Sequence, residues 1–308
     1  MIKFLNLMTY LLILCLGSLV IACPYEVGGH TKGLAFGMDI PEDSWHNFVK
    51  ESKDVVDAAK YNEIIDKIVA VYRPVIESMG AKLKVHKDWE NGEVNAFAHR
   101  TGNTWHVTLM GGLARHKDQT PDGYAHTVCH EFGHHLAGYP TYPGRWASSE
   151  GQSNYFATSK CMRAVFGEED NSLAVGDLVF DIDNPIEKAC ADVYQLDDQA
   201  YFTCMRSVVG AVADNNVMAT LGREGEISVI TPSRNTVKRH FNRHPKAQCQ
   251  LDTSFQGALC AKASVTLVGT ANYAEGYCSR EAGDVVGMRP LCWFSPKQAQ
   301  GDSFAAWF

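Results

Sequence analysis

His130-Glu131-Phe132-Gly133-His134 is the stretch of this chain best suited to chemistry. Residues four apart on an α-helix stand one above the other, so the two imidazoles can share one metal ion. Glu131, one position on, is offset around the helix and can hold a metal-bound water without ligating the metal itself. That is the arrangement of a peptidase with a zinc ion and a glutamate general base. A hydrolytic zinc site also needs a third protein ligand and an open position. The elongated motif that supplies a third histidine requires Gly at 137 and His at 140, where this chain has Ala137 and Pro140. A carboxylate from the following helix is the other solution, and Ser149-Glu150-Gly151-Gln152-Ser153-Asn154 offers Glu150, 16 residues after His134. The metal ligands expected are therefore His130, His134 and Glu150 around one Zn²⁺ per chain, with Glu131 as catalytic base.

These residues need a helix, and the pattern supplies one over 122–137, stopped by Gly138 and Pro140. A second begins at Ser148 or Ser149 and runs to Gly167. Upstream, apolar residues recur at helical spacing over 43–79, with Pro74 inside the run and Gly80 closing it. Residues 81–85, 93–99 and 105–110 read as strands, with Thr101-Gly102-Asn103 as a hairpin turn and Gly111-Gly112 as a second turn. Trp105, Val107 and Leu109 point one way along the third strand. From there to about Leu221 the chain reads as mostly helical. The fold class expected is α+β, with a small antiparallel sheet, an active-site helix and a mostly helical C-terminal half.

The chain has 308 residues, 45% of them hydrophobic, and a formal net charge of −7, which leaves no electrostatic footprint for nucleic acid. It opens with Lys3 and an apolar stretch that culminates in residues 11–22, the form of a secretion signal. Asn6 and Thr9 interrupt the run, which falls short of the roughly 20 apolar residues of a membrane span. Val20-Ile21-Ala22-Cys23 is similar to a bacterial lipoprotein box, and plain cleavage after Ala22 fits almost as well. The protein is thus expected to be exported, to the periplasm, as an outer-membrane lipoprotein, or as a secreted form. Membrane contact would come only through a lipid on Cys23. Eight further cysteines follow, from Cys129 to Cys292, and an even count in an exported chain suggests disulfides. Cys249, Cys260, Cys278 and Cys292 contain no CxxC pair, so a disulfide-stapled tail is expected there rather than a zinc ribbon. Three segments result: a signal at 1–22, a metallopeptidase domain at 23–245, and a cysteine-rich extension at 246–308.

Glu150-x-x-Ser153-Asn154 resembles the ExxSD or ExxAD of gluzincins such as thermolysin and the HtpX/CAAX-protease metallopeptidases. Asn95-Ala96-Phe97-Ala98 and Gly111-Gly112-Leu113 are similar to the NAFA and GLL segments of the HtpX-like group, and Arg243-His244-Pro245 to its HP signature. Together the motifs cover roughly residues 93–245 in the right order. The resemblance implies a zincin-like fold, a protein or peptide substrate, and further roles. Asn154 would accept a hydrogen bond from the first zinc histidine, where the group has a carboxylate. Asn95, Ala96, Phe97 and Ala98 would form an edge strand that pairs with an extended substrate. His244 would donate to the tetrahedral oxyanion, with Arg243, His240 and Tyr155 behind it, or would gate the metal. Past the HP pair the group has an arginine, and this chain has Lys246, Gln248 and Gln250 instead. His126 and His135 are read as packing or supporting histidines, and Cys129 as a packed thiol or a disulfide partner. The competing reading is a non-enzymatic envelope protein, either a degenerate peptidase fold that binds partners or a disulfide scaffold.

Overall fold

The computed structural model describes residues 56–176, 184–196, 198–265 and 272–305. The expected secretion signal, Cys23 with its expected lipid, and the first part of the expected helical stretch from residue 43 lie outside the described residues. Among those described, no helix is long and apolar enough to cross a membrane.

The first described element is the helix α1, Ala58–Ser78, capped by Asp57, whose carboxylate accepts from the Lys60 amide at 2.7 Å. Its apolar stripe buries Tyr61, Ile64, Ile65, Ile68, Tyr72 and Ile76. Three strands follow: β1 (Lys82–Asp88), β2 (Ala96–Thr101) and β3 (Thr104–Met110). Leu83 of β1 and Trp105, Val107 and Leu109 of β3 face the core at the alternation a half-buried sheet requires. The Tyr61 hydroxyl donates to the Leu109 carbonyl at 2.6 Å and fixes α1 against this sheet.

The sheet order is β1-β3-β2, with β2 antiparallel and β1 parallel to β3. The expected all-antiparallel sheet is therefore corrected to a mixed one. Residues 89–95 carry the chain across the sheet from one edge to the other, so the hairpin of β2 and β3 closes back with β3 in the centre. The turn expected at Gly111-Gly112 is instead the start of a short helix α2, Gly111–Ala114. Here the glycines serve close approach: a Cβ at Gly111 would lie 1.8 Å from the Trp89 carbonyl oxygen. The crossover loop thus lies directly against the exit from β3.

Helix α3, Pro121–Leu136, carries the HEFGH residues. Thr120 caps it, accepting from the Gly123 amide at 3.1 Å, and Pro121 takes the first turn, where its missing N–H is no loss. The next helix runs as α4 (Glu150–Phe156), a π-helical turn (Ala157–Cys161) and α5 (Met162–Phe166). Then come α6 (Ser172–Val175), α7 (Pro185–Val193), α8 (Gln199–Leu221), α9 (Ala247–Ala258) and α10 (Pro296–Ala305). This mixed sheet, metal-site helix and helical C-terminal half make a zincin-like α+β architecture.

All eight cysteines after Cys23 pair: Cys129–Cys161, Cys190–Cys204, Cys249–Cys292 and Cys260–Cys278. Cys129 is thus the disulfide partner, tying α3 to the π-helical turn. The last two bridges staple the tail from α9 onward. Helix α9 itself packs against α4 and α8, which brings residues past 246 up to the metal-site helix.

Candidate metal centre

On α3, Phe132 turns inward against Tyr72, with ring centroids 5.6 Å apart, and anchors the helix in the core. This leaves His130, Glu131 and His134 facing a cavity of about 50 Å³. Gly133 lets α4 approach, because its Cβ position lies 2.9 Å from the Ser153 Cα. Any side chain there would push α4, and Glu150 at its first turn, away from the histidines. Ser149 holds the N-cap position of α4.

His130 Nδ1–H donates to Asn154 Oδ1 at 2.6 Å, and His134 Nδ1–H donates to the Ser148 carbonyl at 2.9 Å. The Asn154 amide is oriented in turn, since its Nδ2 donates to Gln250 Oε1 at 3.2 Å and Gln250 Nε2 donates to the Pro245 carbonyl at 2.9 Å. With both Nδ1 atoms engaged as donors, the Nε2 lone pairs face inward. They meet Glu150 Oε2 at 3.1 Å from His130 and 3.6 Å from His134. A carboxylate oxygen this close to the ring nitrogens needs positive charge beside it, either a proton on His130 Nε2 in the metal-free site or a cation shared by all three groups. Two ligand atoms of one tetrahedral zinc with bonds of about 2.0 Å are separated by roughly 3.3 Å. His130, His134 and Glu150 are all buried and their ligand atoms lie within 4.8 Å of one another, so this donor set fits a zincin-type metal site. Tyr142 donates to Glu150 Oε1 at 2.5 Å, which directs the other oxygen to the histidines.

Electrostatics divide the cluster. Burial lowers His134 to about 4, with Glu150 opposing. Burial also disfavours the charged form of His130, yet the hydrogen bond to Glu150 and the charges of Glu131 and Glu150 outweigh it and raise the group to about 9. Burial would raise Glu150, but His244, His134 and His130 together hold it well below the usual carboxylate range. Glu131 is raised to about 8, chiefly by burial. Its Oε2 is buried without a hydrogen-bond partner.

The same cavity is lined by Asn95, Ala96, Phe97, Asn154 and His244. Ala98, the last residue of the expected substrate segment, is fully buried and does not line this cavity. Strand β2 is at the sheet edge and begins at Ala96, with Asn95 just before it. His244 Nε2 lies 3.2 Å from Glu150 Oε2, and its ring lies nearly parallel to that of His130. Two of the three residues expected behind His244 are bonded elsewhere: Tyr155 donates to the Gly287 carbonyl, and His240 Nε2 meets the Tyr139 hydroxyl at 2.8 Å. His135 is stacked between Trp105 and Trp146, away from the metal ligands.

Sequence reasoning missed Asp214, Thr127 and Tyr142. Asp214 reaches the cavity from α8, 87 residues after Thr127 of α3, and no local spacing announces it. Tyr142 had a signal, as one of the aromatics of the loop before Glu150. The chain matches no family model, and no curated protein or solved structure is significantly similar to it.

Proposed function

We propose that this protein is an exported zinc-dependent endopeptidase of gluzincin type, built on the HtpX-like plan. The observation that carries the reading is Glu131. A buried glutamate with an unpartnered oxygen beside two metal-ligating histidines has no packing role to explain it, and a purely structural metal site has no use for it. Zinc bound by His130, His134 and Glu150 would supply a water acidified to a pKa of about 7 and would polarise the scissile carbonyl. Glu131 faces the same cavity and takes the proton of the attacking water, then delivers it to the leaving amine. Asn154 and Ser148 fix the tautomers of the two histidines so that both Nε2 atoms are available. An extended peptide would add to the outer edge of β2 along residues 95–97, where main-chain hydrogen bonds give affinity without regard to sequence. His244 lines the same cavity, with its Nε2 3.2 Å from Glu150 Oε2. From that position His244 would donate to the tetrahedral oxyanion.

The substrate would be an envelope or extracellular protein or peptide, with any membrane contact made through a lipid on Cys23. The test is zinc analysis of protein purified without chelators, followed by cleavage assays on unstructured protein substrates. One zinc per chain, lost in His130→Ala and in Glu150→Ala, together with cleavage abolished in Glu131→Gln but zinc retained there, is the expected result. A well-folded wild type without zinc removes the enzyme reading. Zinc retained without cleavage of any substrate favours a partner-binding relative of the peptidases.

A further inference from the structure

A second cavity, of about 360 Å³, lies between α9 and the tail, remote in sequence from the HEFGH helix. Arg289 lines it and is only 5% exposed. Rings of Tyr277, Tyr155 and Phe294 stand 4.7, 5.0 and 5.0 Å from its Cζ. Aromatic faces cover the planes of a guanidinium, but its N–H donors lie in the plane and need acceptors at its edge. Arg289 Nε has one, Gln152 Oε1 at 2.7 Å. Its Nη2 is buried with no acceptor, and no carboxylate is ion-paired with Arg289 among the described residues. A buried cation without a counter-charge is costly to keep, and a carboxylate entering the cavity that Arg289 lines would supply one.

The rest of the cavity narrows the choice. Phe255, Met288, Pro290, Leu291 and Phe294 give it an apolar wall. Its own carboxylates are engaged elsewhere: Asp252 accepts from the Ser233 amide at 2.7 Å and from Gln248 at 2.8 Å, and Glu281 accepts from Gln300 at 2.6 Å. Arg280 adds a second cation at the rim. The bridges Cys249–Cys292 and Cys260–Cys278 cross-link the surrounding chain, so the space is preformed. We propose that this cavity binds a small organic carboxylate with an apolar body, the carboxylate meeting the edge of Arg289 and the body lying against Phe294, Phe255 and Pro290. A planar fork on a planar carboxylate is the pairing for which arginine is suited.

The test titrates hippurate and octanoate, each beside its neutral amide, into the full disulfide-bonded protein, by calorimetry and by thermal shift. Both acids are expected to bind with Kd below about 1 mM and to raise Tm, and the amides to bind at least about tenfold more weakly. Arg289→Met should abolish this discrimination. Because that variant can fail to fold, Leu291→Glu is made as well. Leu291 is 49% exposed at the cavity, so a like charge there should weaken acid binding at least about tenfold while circular dichroism is unchanged. Carboxylates also bind zinc, so the titration is repeated on His130→Ala, where acid binding should persist whether or not the peptidase reading is right. Loss of binding in His130→Ala, equal binding of acid and amide, or no acid binding to folded wild type at about 10 mM would each overturn the assignment.

Discussion

Asn154→Asp is the substitution from which most can be learned. Asn154 is 2% exposed, and its Oδ1 takes the Nδ1 proton of His130 at 2.6 Å. A carboxylate at that atom would raise the basicity of the imidazole, and outer partners of metal-ligating histidines typically change affinity 10–100-fold. Zinc binding should therefore tighten about tenfold. The metal-stripped protein should respond in the opposite sense. Glu131, Glu150 and Asp214 already line the cavity, and a fourth buried carboxylate loses the N–H that Asn154 now gives to Gln250. A cost of about 3 kcal/mol is expected, or about 6–12 °C in Tm. Gln250→Arg alone should also destabilise, by burying an unpaired guanidinium. The double variant should recover part of both losses, with a coupling energy of about 1–3 kcal/mol. Chelator competition gives the zinc affinities, and thermal unfolding in EDTA gives the stabilities. Weaker zinc binding by a folded Asn154→Asp protein, or strict additivity between positions 154 and 250, would refute the reasoning.

Two further substitutions probe other parts of the molecule. His244→Phe should retain zinc but lower turnover about 10²–10³-fold if His244 donates to the oxyanion; a rise in turnover would instead assign it to holding the site shut. Lys160 is 1% exposed, its Nζ donates to the Ala263 carbonyl at 2.5 Å, and burial lowers it to about 8. Its charged form is thus disfavoured in the fold, by at most about 3 kcal/mol. That penalty is complete below pH 8 and vanishes as pH rises past the unfolded value of about 10.4. Lys160→Met should accordingly stabilise the protein at pH 7, with an advantage that shrinks between pH 8 and 10.4 in denaturant titrations. A pH-independent difference would show that packing, not charge, sets it.

The metal helix was legible because its chemistry is local: a four-residue spacing and a stop at Gly138 and Pro140 are written in adjacent residues. Glu150 was legible for the same reason, since it opens the next helix. The sheet was less so. Periodicity located its strands but not the crossover of residues 89–95, because parallel and antiparallel neighbours bury the same alternating face. Disulfide pairing was beyond reach, as Cys129 and Cys161 are 32 residues apart and meet only once α3 and the π-helical turn pack. Asn154 and Gln250, the latter one of three residues standing where the resembled pattern has an arginine, look like separate departures in the sequence. In the fold they bond to each other as a neutral amide pair.

Behind the metal ligands lies an arrangement that invites a different conclusion. Ser254 Oγ stands 2.9 Å from His126 Nε2, and His126 Nδ1 stands 2.8 Å from Asp214 Oδ2, the order of nucleophile, base and orienting carboxylate in serine hydrolases. Geometry alone does not make a nucleophile, because an acyl group must reach it. Ser254 and His126 are both fully buried, between α9 and α3, and Ser254 does not line the cavity. Asp214 is further committed to Thr127, at 2.5 Å. The network therefore ties α3, α8 and α9 together one turn from His130, holding the metal helix rather than reacting. Ser254→Ala should leave peptide cleavage and zinc content unchanged and cost about 1–3 kcal/mol of stability, since it leaves a buried imidazole nitrogen without its partner. A serine-directed fluorophosphonate should not label the wild type. Labelling that disappears in Ser254→Ala would mean that the fold opens at this point, and the hydrolytic centre would then have to be sought there instead of at the metal.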